Sequence, residues 1–186
     1  MFLFKGNRDY LHSSDITNFI CNNYSYNYLD IKFYKPLKTQ PNFKLTKRIY
    51  NNHKANIVAK IKKNKVEKFL IFYDTDNEVK NRYPYDEELL NKFFKISSDN
   101  VQCNLKTSIN YIDLIVSMST LWHLQKISKK KKWIVVRIKF NKTIVVKKLK
   151  NIFIKVVKIM NRKNTESEIF IDKKACGKIY YSAAKL

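Results

Sequence analysis

The sequence predicts an α+β chain in which an antiparallel sheet wraps a long central helix. Three observations predict it. Ser108–Ile127 is apolar around most of a helical circumference, so a helix there must be enclosed. β-branched and aromatic runs, separated by short polar stretches, read as strands on both sides of it. A helix followed by a strand and further β segments occurs twice along the 186 residues.

In order, Met1–Lys5 reads as a short strand stopped at Gly6-Asn7. Ser13 or Ser14 then caps a helix, with Asp15 against its N-terminal dipole and Ile16, Phe19 and Ile20 on one face. The helix ends near Asn22-Asn23. Tyr28–Leu37 is a strand stopped at Pro36. Asn56–Lys62 and Val66–Tyr73 are two strands joined through Lys63-Asn64-Lys65, and Asp74–Pro84 is a polar loop. Tyr85–Phe94 reads as a helix and Val101–Lys106 as a short strand. In Ser108–Ile127, Tyr111, Leu114, Ile115, Met118, Leu121 and Trp122 fall at helical spacing, with Ser108 or Asn110 as cap. Trp133–Phe140 is a strand. Leu149–Met160 fits a helix face, but its Ile and Val content favours a strand. Glu168–Asp172 and Lys178–Ala183 form a final hairpin turning through Lys173–Gly177.

Hydrophobic residues make up 45% of the chain and aromatics 14%, enough for a substantial core. The net charge of +23 points towards anionic partners. Yet only five of 38 basic residues are arginine: Arg8, Arg48, Arg82, Arg137 and Arg162. Arginine makes the bidentate phosphate and guanine contacts, so base readout is not favoured. Lys, Asn, Ile, Phe and Tyr share A/T-rich codons, and a compositional origin of the charge is preferred. Three widely spaced cysteines, Cys21, Cys103 and Cys176, fit a reducing compartment and no disulfide framework. The N-terminus is too short in apolar residues for a signal peptide. No apolar run approaches the ~20 residues that span a bilayer. A cytoplasmic chain is expected.

Ile31-Lys32-Phe33-Tyr34-Lys35 follows the first helix, and Ile138-Lys139-Phe140-Asn141-Lys142 follows the second. With the buried helix between them, this order resembles a tandem, or double, hot-dog protein of the acyl-thioester dehydratase and thioesterase type. Asp30–Leu37 looks like the strand after a hot-dog helix, and Trp133–Ala184 like the remaining strands of a second unit. The expected halves are 1–100 and 101–186. The resemblance is one of pattern, since those families' active-site motifs are not matched residue by residue.

The resemblance implies a His or carboxylate near a helix, a helix N-terminus polarising the thioester carbonyl, and an apolar tunnel. His12, with Asp15 three residues on, is the candidate base; its alternative role is a surface or capping histidine with Asp15 as dipole partner. Asp113, in the first turn of the long helix, is the candidate acid or else a dipole-stabilising carboxylate. His12 and Asp113 would come from opposite halves. Tyr111, Ile115, Met118 and Trp122 would line the acyl tunnel. His123 reads as structural, Arg8 as an ion-pair partner of Asp9, and Cys103 as a buried thiol; His53 carries no signal.

No metal spacing and no phosphate-cradling glycine loop are present, so neither metal nor cofactor is expected. The implied substrate is a CoA thioester or an acyl chain on an acyl carrier protein, whose acidity suits the runs Lys60–Lys65, Lys129–Lys132 and Lys147–Lys150. A homo- or hetero-oligomer is compatible with the pattern. Two other readings stay open: a hot-dog-like shell that is a non-catalytic interaction subunit, and a basic nucleic-acid-binding module.

Overall fold

A computed structural model describes residues 1–49, 54–103, 110–144 and 151–184. Ser108, His53 and the run 147–150 lie outside the described residues, as does the end of the expected strand Val101–Lys106. The chain divides into two compact units, Met1–Asp86 with Lys139–Thr143, and Glu87–Ile138 with Ile144–Leu186.

The first unit contains β1 (Phe4–Lys5), α1 (Ser13–Asn23), β2 (Tyr28–Phe33), β3 (Asn42–Thr46), β4 (Ile57–Lys63), β5 (Val66–Tyr73) and β6 (Arg82–Tyr83). Its main sheet runs β3-β5-β4-β2, and the β3–β5, β4–β5 and β2–β4 pairs are all antiparallel. The register pairs Leu29 with Ile61, Ile61 with Lys68, and Leu45 with Leu70, so these side chains share one face. That face carries α1: Phe19 meets Phe43 and Phe72 at ring separations of 5.3 and 6.2 Å. Ile16 and Ile20, one helical turn apart, are fully buried. The opposite face buries Val58 and Ile71 with Ala55, packed by Ile49, Phe69 and Tyr73. β1 pairs parallel with β6, setting Lys5 beside Tyr83.

The second unit contains α2 (Glu87–Asn91), β7 (Phe94–Ile96), β8 (Asn100–Cys103), α3 (Tyr111–Lys126), β9 (Lys132–Phe140) up to Ile138, β10 (Ile152–Met160), β11 (Asn164–Ile171) and β12 (Lys174–Ala184). Its strands follow the order β9-β12-β11-β10-β8-β7. α3 buries Ile112, Leu114, Ile115, Val116, Met118 and Trp122, which leaves it little polar face. It packs on β8, β10 and α2. Tyr181 of β12 donates to the Val116 carbonyl at 2.8 Å, and Thr165 of β11 meets His123. The α+β fold, with antiparallel sheet around a long helix, is therefore as the sequence predicts.

The described part of Leu149–Met160 forms the strand that its Ile and Val content favours, Ile152–Met160. Several other local expectations change. Tyr85–Phe94 yields only the short helix α2, and β7 follows at once. β3 was not expected, because Pro41 and the exposed Asn42 and Lys44 hide its strand pattern. The last hairpin turns at Asp172-Lys173, with φ of 49° and 63°, rather than through Lys173–Gly177. Both residues adopt the left-handed conformation of a two-residue hairpin turn without glycine. Gly177 instead sits within β12, opposite Ile169 at a register shift.

His123 locks α3 to β11. It is fully buried, its Nδ1 is 2.5 Å from the Ser119 carbonyl oxygen, and its Nε2 is 2.5 Å from Thr165 Oγ1. Tyr181 and Trp133 lie at 4.5 and 4.6 Å from its ring. Burial lowers its pKa to about 4. The unfolded chain therefore takes up a proton that the folded one refuses. Stability is complete above pH ~6.5 and falls by about 3 kcal/mol as pH drops towards 4. Denaturant midpoints measured across that window should show this slope, and His123→Gln should flatten it, leaving the contributions of His12 and of carboxylates such as Glu67. An unchanged slope in the variant would contradict the role.

Candidate active site

The polar cluster of the first unit is built around a lysine. β1 is short, and Gly6 ends it with φ +58°, its N–H donating to the Tyr83 carbonyl at 2.9 Å. A Cβ at Gly6 would lie 3.4 Å from the Tyr85 carbonyl oxygen. This turn aims Lys5 inward, where its side chain is 0% exposed. Its Nζ donates to Ser14 Oγ at 3.0 Å, lies 4.0 Å from Asp15 Oδ1 and sits 3.9 Å from the centre of the Tyr85 ring. Tyr83 donates its hydroxyl to Asp15 Oδ1 at 2.8 Å. Arg8 reaches the Lys5 carbonyl at 3.4 Å and the Tyr85 ring at 5.8 Å. The Arg8–Asp9 pair expected from the sequence does not form among the described residues.

His12 is joined to this cluster through Ser14, whose Oγ is 2.8 Å from His12 Nδ1. His12, and not Ser13 or Ser14, is the N-cap of α1, and it makes no side-chain capping bond. Asp15 N–H and Ile16 N–H both bond the His12 carbonyl. The Ser13 and Ser14 amides have no acceptor among the described residues, so the positive end of the α1 dipole is left uncapped. Desolvation first, and then the Lys5 and Arg8 charges, hold the His12 imidazole well below its ordinary pKa. At neutral pH it is an uncharged ring. His12 and Asp15 are thus brought into one network, bridged by Ser14 and Lys5.

The remaining predicted residues lie in the second unit. Asp113 is half-buried in the first turn of α3. That helix end is capped, since Asn110 accepts from the Ile112 amide at 2.8 Å. Tyr111 is half-buried, whereas Ile115, Met118 and Trp122 are packed in the core. Cys103 and Cys176 are buried and Cys21 is half-buried, and none of the three is in a disulfide among the described residues. Among the described residues no group of His, Cys, Asp or Glu could hold a metal ion, and no helix is long and apolar enough to cross a membrane.

Lys5, Tyr83 and Tyr85 were not singled out from the sequence. Phe2-Leu3-Phe4-Lys5 gives no sign that its lysine points inward, Tyr83 falls in the stretch that reads as loop, and Tyr85 stands at the start of a stretch that reads as helix. The contacts of Tyr83 and Tyr85 with Asp15 and Lys5 are distant in sequence, so no local period marks them.

No family model matches the chain, and no curated protein does. Solved structures do. A candidate thioesterase II of Thermobifida fusca YX is similar at 3% identity and a TM-score of 0.54, over 96% of this chain and 88% of its own. A protein of Alicyclobacillus acidocaldarius described as having a hot dog fold is similar at 6% identity and a TM-score of 0.50, over 97% of this chain and 89% of its own. At such identities the likeness speaks for fold alone.

Lys5→Ala removes a buried cation from Asp15, Ser14 and Tyr85 at once. It should cost about 3–5 kcal/mol, read as a lower denaturation midpoint. An unchanged midpoint would show that the charge is not structurally engaged. The chain has the hot-dog fold.

Proposed function

We propose that the chain is an acyl-thioester-processing hot-dog protein, thioesterase-like or dehydratase-like, acting on a carrier-bound or CoA-bound acyl chain at the N-terminus of α1. One observation carries this reading: an uncharged imidazole beside two helix amides that no group among the described residues caps. Both have a chemical use. The Ser13 and Ser14 N–H groups can hold a thioester carbonyl oxygen and stabilise the negative charge it gains. With Nδ1–H donating to Ser14 Oγ, the lone pair on His12 Nε2 is the base. In hydrolysis, Nε2 takes a proton from water as the water oxygen bonds to the carbonyl carbon. The C–S bond then breaks, and the thiolate recovers the proton from the imidazolium. Lys5 and Asp15 position Ser14 and hence the ring. The fold of the Thermobifida fusca neighbour, whose description is a thioesterase, supports testing hydrolysis first.

Within the second unit, and apart from the α1 site, the half-buried Asp113 and Tyr111 at the start of α3 are proposed as an acid and an acyl contact, whereas Ile115, Met118 and Trp122 are taken up by the core. An acidic carrier protein suits the lysine-rich surface. A non-catalytic interaction role is the second reading. It is favoured by how closed the network is, with His12 at 9% exposure and Lys5 and Ser14 at 0%.

Release of free thiol from decanoyl-CoA, and formation of the enoyl product from a 3-hydroxyacyl thioester, separate these readings. The wild-type chain should turn over one of the two. His12→Asn should lose at least about 100-fold in kcat with its melting temperature unchanged. Because the pKa of His12 is lowered, kcat should be flat around neutrality and fall only in acid, as the base is protonated. A well-folded wild type without turnover selects the non-catalytic reading, and full activity in His12→Asn removes His12 from the chemistry.

A further inference from the structure

We infer that the first unit carries a second binding site, at the opposite end of α1, for a single-chain fatty carboxylate. It does not rest on the proposed activity. α1 has 11 residues, so its two ends are about 16 Å apart. Where the helix stops at Asn23, the sheet continues beneath and its helix-bearing face is left uncovered. The result is a groove of about 420 Å³ floored by Leu45, Ile61 and Val66 and walled by Tyr24. Its size lies within the range of small-ligand sites.

The groove's floor is apolar, but its rim is cationic. The register pairs Lys63 with Val66 and Ile61 with Lys68, so both lysines stand on the groove's face as diagonal neighbours, roughly 7–8 Å apart. Glu67 lies on the other face, where it pairs with Lys60 at 2.9 Å and Lys62 at 3.1 Å. Lys63 and Lys68 have no carboxylate partner among the described residues. The groove adjoins a polar cleft of about 400 Å³ that shares Lys63 and Asn64 and adds Asn22 and Asn27. An apolar trough, two uncompensated ammonium groups and a bank of side-chain amides match an alkyl tail ending in a carboxylate. The negative end of the α1 dipole opposes an anion here, but two full charges outweigh a partial one. Leu45 and Val66 are 42% and 55% exposed, which is apolar surface that a tail would cover.

Isothermal titration with dodecanoate below its micellar concentration tests the site. The wild type should bind saturably, one per chain, with affinity falling roughly tenfold for every two methylenes removed from the tail. Lys63→Gln/Lys68→Gln should weaken dodecanoate about tenfold or more while leaving 1-dodecanol unaffected. Leu45→Asp, at an exposed edge-strand position, should abolish binding of both without lowering the melting temperature. Lys129→Gln/Lys130→Gln, remote from the groove, should change affinity by less than about twofold. Absence of saturable binding would overturn the inference. So would equal weakening by the two lysine pairs, because the dodecanoate would then be reading net charge and not this groove.

Discussion

Burying a lysine completely costs several kcal/mol unless its charge is met on the spot. Lys5 is met on several sides: by the Ser14 hydroxyl, the Asp15 carboxylate and the face of Tyr85. These partners come from two separate pieces of chain. Ser14 and Asp15 open α1, while Tyr85 follows the strand that pairs with β1. The ammonium therefore fixes the entry of α1 against the β1–β6 pair. It also sets the electrostatics of the site, since it helps keep His12 uncharged and holds the hydroxyl that orients its ring. A cap formed by Ser13 or Ser14 would have closed the helix end. Ser14 is instead turned towards Lys5, and the Ser13 and Ser14 amides of α1 have no acceptor among the described residues.

The second unit solves a different problem. α3 buries side chains almost all the way round, so it needs cover from more than one direction. β8, β10 and α2 pack against it, and the hydroxyls of Tyr181 and Thr165 tie it to β12 and β11. His123 is the polar centre of that packing. It has the low pKa often taken as a sign of chemistry, but both ring nitrogens are engaged and aromatic rings enclose it. The same titration behaviour at His12 has a different meaning, because there it stands beside an uncapped helix end.

Much of this was legible in the sequence, for physical reasons. α3 was readable because its apolar residues recur at helical spacing over 16 residues. β10 was recognisable as a strand despite a competing helical pattern, because Ile and Val are stiff at Cβ and favour the pleated surface. β3 was missed because it is an exposed edge strand with little apolar pattern. The last turn falls at Asp172-Lys173 and not at Gly177, because two ordinary residues adopt the left-handed conformation that glycine usually marks. His12 and Asp15 were marked by their place at a helix start. Lys5, Tyr83 and Tyr85 were not, because nothing local announces that a lysine will be buried between a helix start and a tyrosine far along the chain.

The central claim is that the open amides of α1, beside a neutral His12, are a carbonyl-binding site. The most direct measurement is a crystal structure with a non-hydrolysable acyl-CoA analogue in which a ketone replaces the thioester. The account predicts the ketone oxygen within hydrogen-bond distance of the Ser13 and Ser14 N–H groups, with its carbonyl carbon facing His12 Nε2. An analogue bound with its carbonyl elsewhere, or one that leaves this helix end untouched at saturation, would contradict it.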